Sequence, residues 1–390
     1  MKKIITAGID IGSSQVKVVI TEFVKNEGQR MPHIIGTGIA ESKGLRHGYL
    51  INSADVTRSV RQAIAQAEKM ADVVVERAYI AVGGVGLSSV VRSGTAIVSR
   101  ADSEITTLDI EKAQESAEES IPEAESLNKR IIHTIPLEYK IDERPILGDP
   151  LGMKGVKIEI KALFITAIEK HLQDLIDATE EAGIEVIDVT AAPIAASFIT
   201  LSKAQKIAGC VLANIGAETL SIVVYENNIP ISLEVFPIGS IDITNDIALG
   251  LKISLEEAEE IKRHGIGSTL YPRKKLEEII TARLSDMFEL VDNHLAKIGR
   301  RGLLPAGIVL TGGGSGITTA EDLAKSVLQL PSKIAALTFN ETPGNVKDAF
   351  WSVAYGLCVL GLTDDGRRSS GMNIGAFFKK ILDWFKQFLP

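Results

Sequence analysis

The chain has 390 residues, 45% hydrophobic and 24% charged, a globular composition long enough for two or three folding units at about 100–200 residues each. Its net charge of −8 argues against a nucleic-acid-binding surface over the whole chain. Only Cys210 and Cys358 are present, too few for a disulfide framework and consistent with a reducing compartment. The longest apolar run, 350–362, is shorter than the ~20 residues that cross a bilayer, and the N-terminus meets Gly8 and Asp10 too soon for a signal peptide.

Taken in chain order, strands and helices alternate. Lys3–Asp10 and Val16–Val24 read as strands joined by a Gly-Ser turn, and His33–Ala40 as a third. Ser53 is placed to cap a helix reaching about Met70, with apolar positions at Val56, Val60, Ala63, Ile64 and Ala67. Ala78–Val82 is a short strand ending in Gly83-Gly84. Between 87 and 161 the texture changes to a compact α+β insert. Its parts are the strand Ala96–Ser99, a helix from Thr106 to Ser120, and the strands Lys129–Ile141 and Lys154–Thr166. Alternation then resumes with helices at Ile168–Ala182 and from Pro193 to Leu201. A hairpin follows, its arms Cys210–Tyr225 and Ile229–Phe236, turning at Asn227-Asn228. Helices are expected at Leu255–His264, Lys274–Ile298 and Thr319–Leu328, with the strand Ala306–Leu310 between the last two.

Two segments carry chemistry. In Gly8-Ile-Asp10-Ile-Gly12-Ser13-Ser14-Gln-Val-Lys17, a turn between strands offers backbone N–H groups and hydroxyls to phosphate oxygens. Asp10 at the strand end suits Mg²⁺ held through water, and Lys17 adds a point charge; a plain hairpin is the alternative. In Thr311-Gly312-Gly313-Gly314-Ser315-Gly316, a buried strand runs into a triple glycine before a helix, which allows close backbone approach to a nucleotide or simply makes a turn. A weak internal repeat appears as well: near Asp10 and again near Asn214, a strand meets a small-residue turn and a second strand leaves it, so two related halves would set both turns at one cleft. None of the six histidines has zinc-ligand spacing, and no Gly-x-Ser-x-Gly elbow follows a strand.

The C-terminus concentrates the aromatics. Residues 363–373 are polar and aperiodic, a linker. Beyond it, Phe377, Phe378, Ile381, Leu382, Trp384, Phe385, Phe388 and Leu389 share one face of a helix, and Lys379, Lys380 and Lys386 lie opposite. That pattern suits an in-plane helix on an anionic membrane, each lysine adding ~1 kcal/mol, rather than a helix docked on a core. Arg283 and Asp286, three apart on the Lys274–Ile298 helix, share a face as a peptide-binding fork or an ordinary solvated pair.

Together, Asp10-x-Gly12-Ser13-x-x-x-Lys17 and Thr311–Ser315 resemble the first phosphate loop and the adenosine motif of the actin/Hsp70 ATPase superfamily. Ala258-Glu259-Glu260-Ile261-Lys262 resembles its helix whose Glu and Lys reach the nucleoside, and Phe350–Gly361 its second connecting helix. Ser103–Thr107, His133–Tyr139, Asp149–Val156 and Gly239–Leu251 resemble the bacterial FtsA cell-division family, over residues 4–390.

The resemblance implies an α/β, two-lobed actin-like fold with an α+β insert. Subdomain 1A would span 1–83 and 164–203, the insert 1C 84–163, 2A 204–242 and 303–362, and 2B 243–302, followed by a linker at 363–374 and a membrane-targeting helix at 375–390. ATP and Mg²⁺ would contact Asp10, Gly12, Ser13, Ser14, Lys17, Gly216, Thr219, Glu259, Lys262, Gly312, Gly313, Gly314 and Ser315. Partners would be the FtsZ C-terminal tail at Arg283 and Asp286, further copies of the chain in a filament, anionic lipid at the tail, and other division proteins at the insert, on the cytoplasmic face of the membrane at the division site. A pilus-assembly adaptor of the PilM type is the alternative. One segment departs: the superfamily's Asp-x-Gly-Gly-Gly-Thr-Thr reads Asn214-Ile-Gly216-Ala217-Glu218-Thr219-Leu220, which weakens the case for hydrolysis and leaves only Asp10 as a catalytic candidate. Whether Glu218 faces the phosphates or points away is open at this level.

Overall fold

A computed structural model describes residues 3–24, 31–264, 271–336 and 349–362. The linker 363–374 and the amphipathic segment 375–390 lie outside the described residues.

The chain opens with three antiparallel strands, β1 (Lys3–Ile11), β2 (Gln15–Val24) and β3 (His33–Glu41). A small ribbon of β4 (Leu45–Arg46) and β5 (Tyr49–Leu50) leads to α1 (Ser53–Ala71). The cap of α1 is Asn52, not Ser53: its side chain accepts from the Asp55 N–H at 3.3 Å, so the helix starts one residue earlier than expected. The apolar positions expected on α1 are buried. β6 (Arg77–Val82) then pairs parallel with β1.

The insert comprises β7 (Ser88–Ile97), α2 (Thr107–Glu119), α3 (Glu123–Ser126), β8 (Lys129–Ile141), β9 (Arg144–Ile146) and β10 (Lys157–Ile168). Its sheet runs β7-β10-β8-β9. β7 starts eight residues before the expected Ala96, because Ser88 to Ser93 alternate without the apolar run that marks a strand. β10 alternates between two cores. Ile158, Ile160, Ala162 and Phe164 join Ile105, Ala113 and Ala117 inside the insert, while Leu163, Ile165 and Ala167 face the core around β1 and β6.

Back in the first lobe, α4 (Glu169–Glu181) precedes β11 (Glu185–Ala191), an edge strand that sequence reading passed over. α5 (Ala192–Thr200) and α6 (Lys203–Ala208) cross to a second lobe. There β12 (Cys210–Ile215), β13 (Leu220–Glu226) and β14 (Ile229–Phe236) are antiparallel, and the expected single strand Cys210–Tyr225 is broken by the turn 216–219. Three helices follow, α7 (Ser240–Leu251), α8 (Leu255–His264) and α9 (Arg273–Lys297). The lobe ends with β15 (Ile308–Thr311), a 3₁₀ turn at Gly313–Gly316, α10 (Ala320–Leu328) and β16 (Ser332–Ile334). Last comes α11 (Ser352–Gly361), packed on β1 and on α5.

The two large sheets have the same topology. One runs β3-β2-β1-β6-β11, the other β14-β13-β12-β15-β16: three antiparallel strands, then two parallel ones. The repeat anticipated around Asp10 and Asn214 is therefore a repeat of whole sheets. The lobes meet at α5 and α11, whose crossing needs a glycine. A Cβ on Gly356 would lie 2.0 Å from the carbonyl oxygen of Ala195.

Candidate functional site

Both repeated turns close with the same bond. Gly12 N–H donates to Gln15 O at 3.1 Å, and Gly216 N–H donates to Thr219 O at 2.8 Å. Superposing the turns on that bond makes Asp10 the counterpart of Asn214, Ser14 of Glu218 and Lys17 of Ser221; the strand registers Asp10↔Lys17 and Asn214↔Ser221 agree.

In the first lobe, strand register sets Asp10 beside Lys17, and Lys17 Nζ lies 2.8 Å from Asp10 Oδ2 with both side chains mostly buried. The same ammonium donates to Phe350 O at 3.2 Å and sits 4.3 Å from the centre of the Phe350 ring. Phe350 in turn lies beside Gly313, where a Cβ would be 3.6 Å from its ring. A line of contacts thus runs from Asp10 through Lys17 and Phe350 to the triple glycine. Thr311 is buried; its hydroxyl donates to Ala349 O at 3.1 Å and bonds Ser352 Oγ at the same distance, which ties β15 to the start of α11. Ser315 is also buried and its hydroxyl donates to Gly312 O at 2.7 Å, so that side chain shapes the loop from within.

The second turn is held by α7, whose Ser240 and Ile241 N–H groups donate to Gly216 O and Ala217 O at 2.9 and 2.8 Å. Gly314 packs between Ile215 and Ser240, bringing the triple glycine against this turn. Lys262 on α8 reaches the same end: its ammonium donates to Ser240 O at 3.0 Å and Thr244 Oγ1 at 2.8 Å, and pairs with Glu259 Oε2 at 2.6 Å. Burial pushes the Lys262 ammonium below its ordinary value despite this pair. Burial works the other way on Glu259, yet hydrogen bonds from Lys262 and Thr244 outweigh it and hold the carboxyl low. Glu259 and Lys262 are therefore brought together beside the α7 N-terminus, engaged with each other.

Glu218 does not point outward. Its Oε2 accepts from the backbone N–H of His47, in the β4–β5 turn of the opposite lobe, and His47 Nδ1 lies 3.3 Å from Glu218 O. The next residue, Gly48, donates its N–H to Ser13 Oγ at 3.0 Å. The structure thus adds His47 and Gly48 to the residues singled out from sequence. A carboxylate aimed at a remote loop leaves no periodic signal.

Among the described residues, no group of three or more His, Cys, Asp or Glu side chains could hold a metal ion, and no helix is long and apolar enough to cross a membrane.

Two family models match the chain: "Cell division protein FtsA" over residues 211–356 and "SHS2 domain inserted in FTSA" over 84–166. The Pseudomonas aeruginosa cell-division protein FtsA is 30% identical over 94% of this chain and 91% of its own length. The Bacillus subtilis protein of the same name is 32% identical over 84% of this chain and 78% of its own.

The chain belongs to the FtsA family of cell-division proteins.

Solved structures agree on the fold. The PilM-PilN type IV pilus biogenesis complex superposes with a TM-score of 0.68 at 18% identity, covering 92% of this chain and 98% of that one. MreB 5 of Spiroplasma citri superposes with a TM-score of 0.51 at 12% identity, covering 99% of each. The fold is actin-like, with the FtsA-type insert. At 18% identity the PilM likeness is one of fold alone, and full-length identity to FtsA proteins displaces the pilus-adaptor alternative.

Within the FtsA frame, Arg283 on α9 pairs with Asp286 on the same face, as expected, and with a second carboxylate besides. Its guanidinium clamps Asp246 of α7, with Nε to Oδ2 at 2.7 Å and Nη2 to Oδ1 at 3.1 Å. Asp286 stands 3.5 Å away and is more exposed. Asp246 was missed from the sequence because helix-face spacing finds neighbours on one helix, not on the helix packed against it.

Proposed function

We propose that this protein is an actin-like division adaptor. It tethers FtsZ filaments to the cytoplasmic membrane, recruits division proteins through its insert, and polymerises under the control of bound ATP. The observation that supports this reading is the relationship to the FtsA proteins of Pseudomonas aeruginosa and Bacillus subtilis, over 94% and 84% of this chain. The protein would sit at the division site as a peripheral membrane protein on the cytoplasmic face.

The residues around the cleft fit a Mg-nucleotide. Asp10 is oriented by its ion pair with Lys17, and Gly12, Gly216 and the triple glycine present backbone without side chains. Asp10 would hold Mg²⁺ through water. The hydroxyls of Ser13 and Ser14 and the turn at Gly12 would face the phosphates from one lobe, Gly216 and Thr219 from the other. Gly312, Gly313, Gly314 and Ser315 would line the nucleoside side with Glu259 and Lys262. Mg²⁺ supplies charge neutralisation on the phosphates when bound. With Asn214 in place of a second carboxylate, water is poorly activated, so ATPase activity is expected to be weak or absent. ATP then acts as a ligand that favours one conformation through differential affinity.

Arg283 is the proposed anchor for an acidic FtsZ tail peptide, with Asp286 at its side. The apolar face of 377–389 and its lysines are the proposed membrane anchor. Fluorescence anisotropy with a labelled FtsZ tail peptide tests the first: saturable binding is expected, lost in Arg283→Glu. Sedimentation with anionic liposomes tests the second: the full chain is expected in the pellet and a chain truncated after Asn373 in the supernatant. No peptide binding by the unmodified protein, with or without Mg-ATP, overturns the tether.

A further inference from the structure

The contact between Glu218 and His47 is unlike anything in the matching turn of the first lobe. There the equivalent position is Ser14, exposed and neutral. Glu218 instead reaches across the cleft with a charged side chain and meets a built acceptor of anions. His47 and Gly48 both have positive φ, 48° and 81°, so their successive N–H groups sit in a tight turn, the type of backbone concavity that binds anions. The His47 N–H donates to the Glu218 carboxylate and the Gly48 N–H donates to Ser13 Oγ. The turn is fixed from behind. Val85 N–H donates to His47 O at 3.3 Å, and a Cβ on Gly48 would lie 2.2 Å from the Cα of Gly84, so the two backbones are stacked. The donor turn is therefore pre-formed by the first lobe, and the anion that accepts from it comes from the second.

We propose that Glu218 is an internal latch: its carboxylate occupies an anion site at the His47–Gly48 turn and ties the two lobes together without any ligand, and phosphate oxygens entering the cleft compete with it for that site. The competition rests on the nucleotide reading given above; the latch does not. The chemistry follows from like charges. A carboxylate and a phosphate cannot share the His47 N–H, so a phosphate-bearing ligand must turn Glu218 away before it can bridge the lobes in its place. An ATP-free protein then already has its lobes joined, and nucleotide affinity is reduced by the fraction of molecules that are latched.

The experiment compares the full chain with Glu218→Ser, which copies the matching turn and cannot reach His47, and Glu218→Gln, which keeps an acceptor oxygen without the charge. Spin labels at Glu76→Cys and Lys325→Cys, both exposed, report the distance between lobes; the native Cys210 and Cys358 are buried. Circular dichroism first checks that each variant is folded. Without nucleotide, a single narrow distance distribution is expected for the unmodified residue and for Glu218→Gln, and a longer or broader one for Glu218→Ser. Titration with Mg-ATP should show Glu218→Ser binding about tenfold tighter or more. If the nucleotide-free distances of all three chains coincide, the latch is overturned. Should Glu218→Ser not fold, a Glu218→Ala chain as narrow in distance as the unmodified one overturns it equally. If Glu218→Ser opens while no chain binds Mg-ATP, the latch stands and the nucleotide reading fails.

Discussion

Asp10 and Lys17 form a mostly buried pair, and their counterparts in the second lobe, Asn214 and Ser221, form a neutral one. Replacing Lys17 by Met should leave a buried carboxylate without its cation, a loss of about 3 kcal/mol. Adding Asp10→Asn should return most of it by making the first turn resemble the second. Thermal melts of the two single variants and the double variant would show this coupling as non-additivity, and strict additivity would contradict it.

His133 supplies a pH test. It is fully buried on β8, accepts from Ala191 N–H at 3.1 Å through Nε2, and burial pushes it down to about 4. The unfolded chain takes up the proton near 6.5 and the folded chain only near 4. Stability should therefore fall as pH drops through that window, by roughly 3 kcal/mol from this residue. His133→Gln, which keeps an acceptor for Ala191, should flatten the loss between pH 6.5 and 4.5 in melting experiments. What residue-scale reading saw was composition and spacing: the glycines, the carboxylate at a strand end, the lysine seven residues on. The side-chain directions of Glu218 and Arg283 depend on which loop or helix lies opposite, and no local pattern encodes that.

The elements were most legible where a periodic apolar stripe faces one partner. α1 shows this, with Val56, Val60, Ala63, Ile64 and Ala67 all buried. β11 and α7 were missed for opposite reasons. β11 mixes Glu185 and Asp188 with apolar residues at a sheet edge, and α7 carries Thr and Asn positions that dilute its stripe. The turn inside Cys210–Tyr225 was legible from Gly216 and Glu218 as part of the internal repeat, but the apolar residues on both sides of it let the segment be drawn as one arm of the hairpin. The crossing of α5 and α11 gives a test at this scale. Gly356→Ala would drive a methyl into the Ala195 backbone and should cost on the order of 3 kcal/mol, seen as a lower Tm. Gly316→Ala, with nothing within 4 Å of the added carbon, should stay within about 0.5 kcal/mol. Equal shifts in the two variants would mean the crossing is not under close-packing constraint.

At the scale of the molecule, two sheets of one topology form the lobes, and the insert rests on both. β10 gives Leu163 and Ile165 to the core that both lobes build, and Ser89 Oγ on β7 both donates to and accepts from the Leu233 backbone of β14 at 2.8 Å. Excising 88–166 should therefore destabilise the remainder rather than leave it intact. Hydrogen exchange would register this as faster exchange in β1 and β6, and unchanged protection there would show the insert to be a mere appendage. The duplication was readable from two turns, but the double role of β10 was not: its unbroken apolar run looks the same whether one core or two receive it.

A strand with its two faces in different cores is also a mechanical part. A load applied to the insert cannot swing it as a pendant, because any tilt must pull Leu163 and Ile165 out of a core built by both lobes. A tilt of the insert therefore disturbs the packing of both lobes at once.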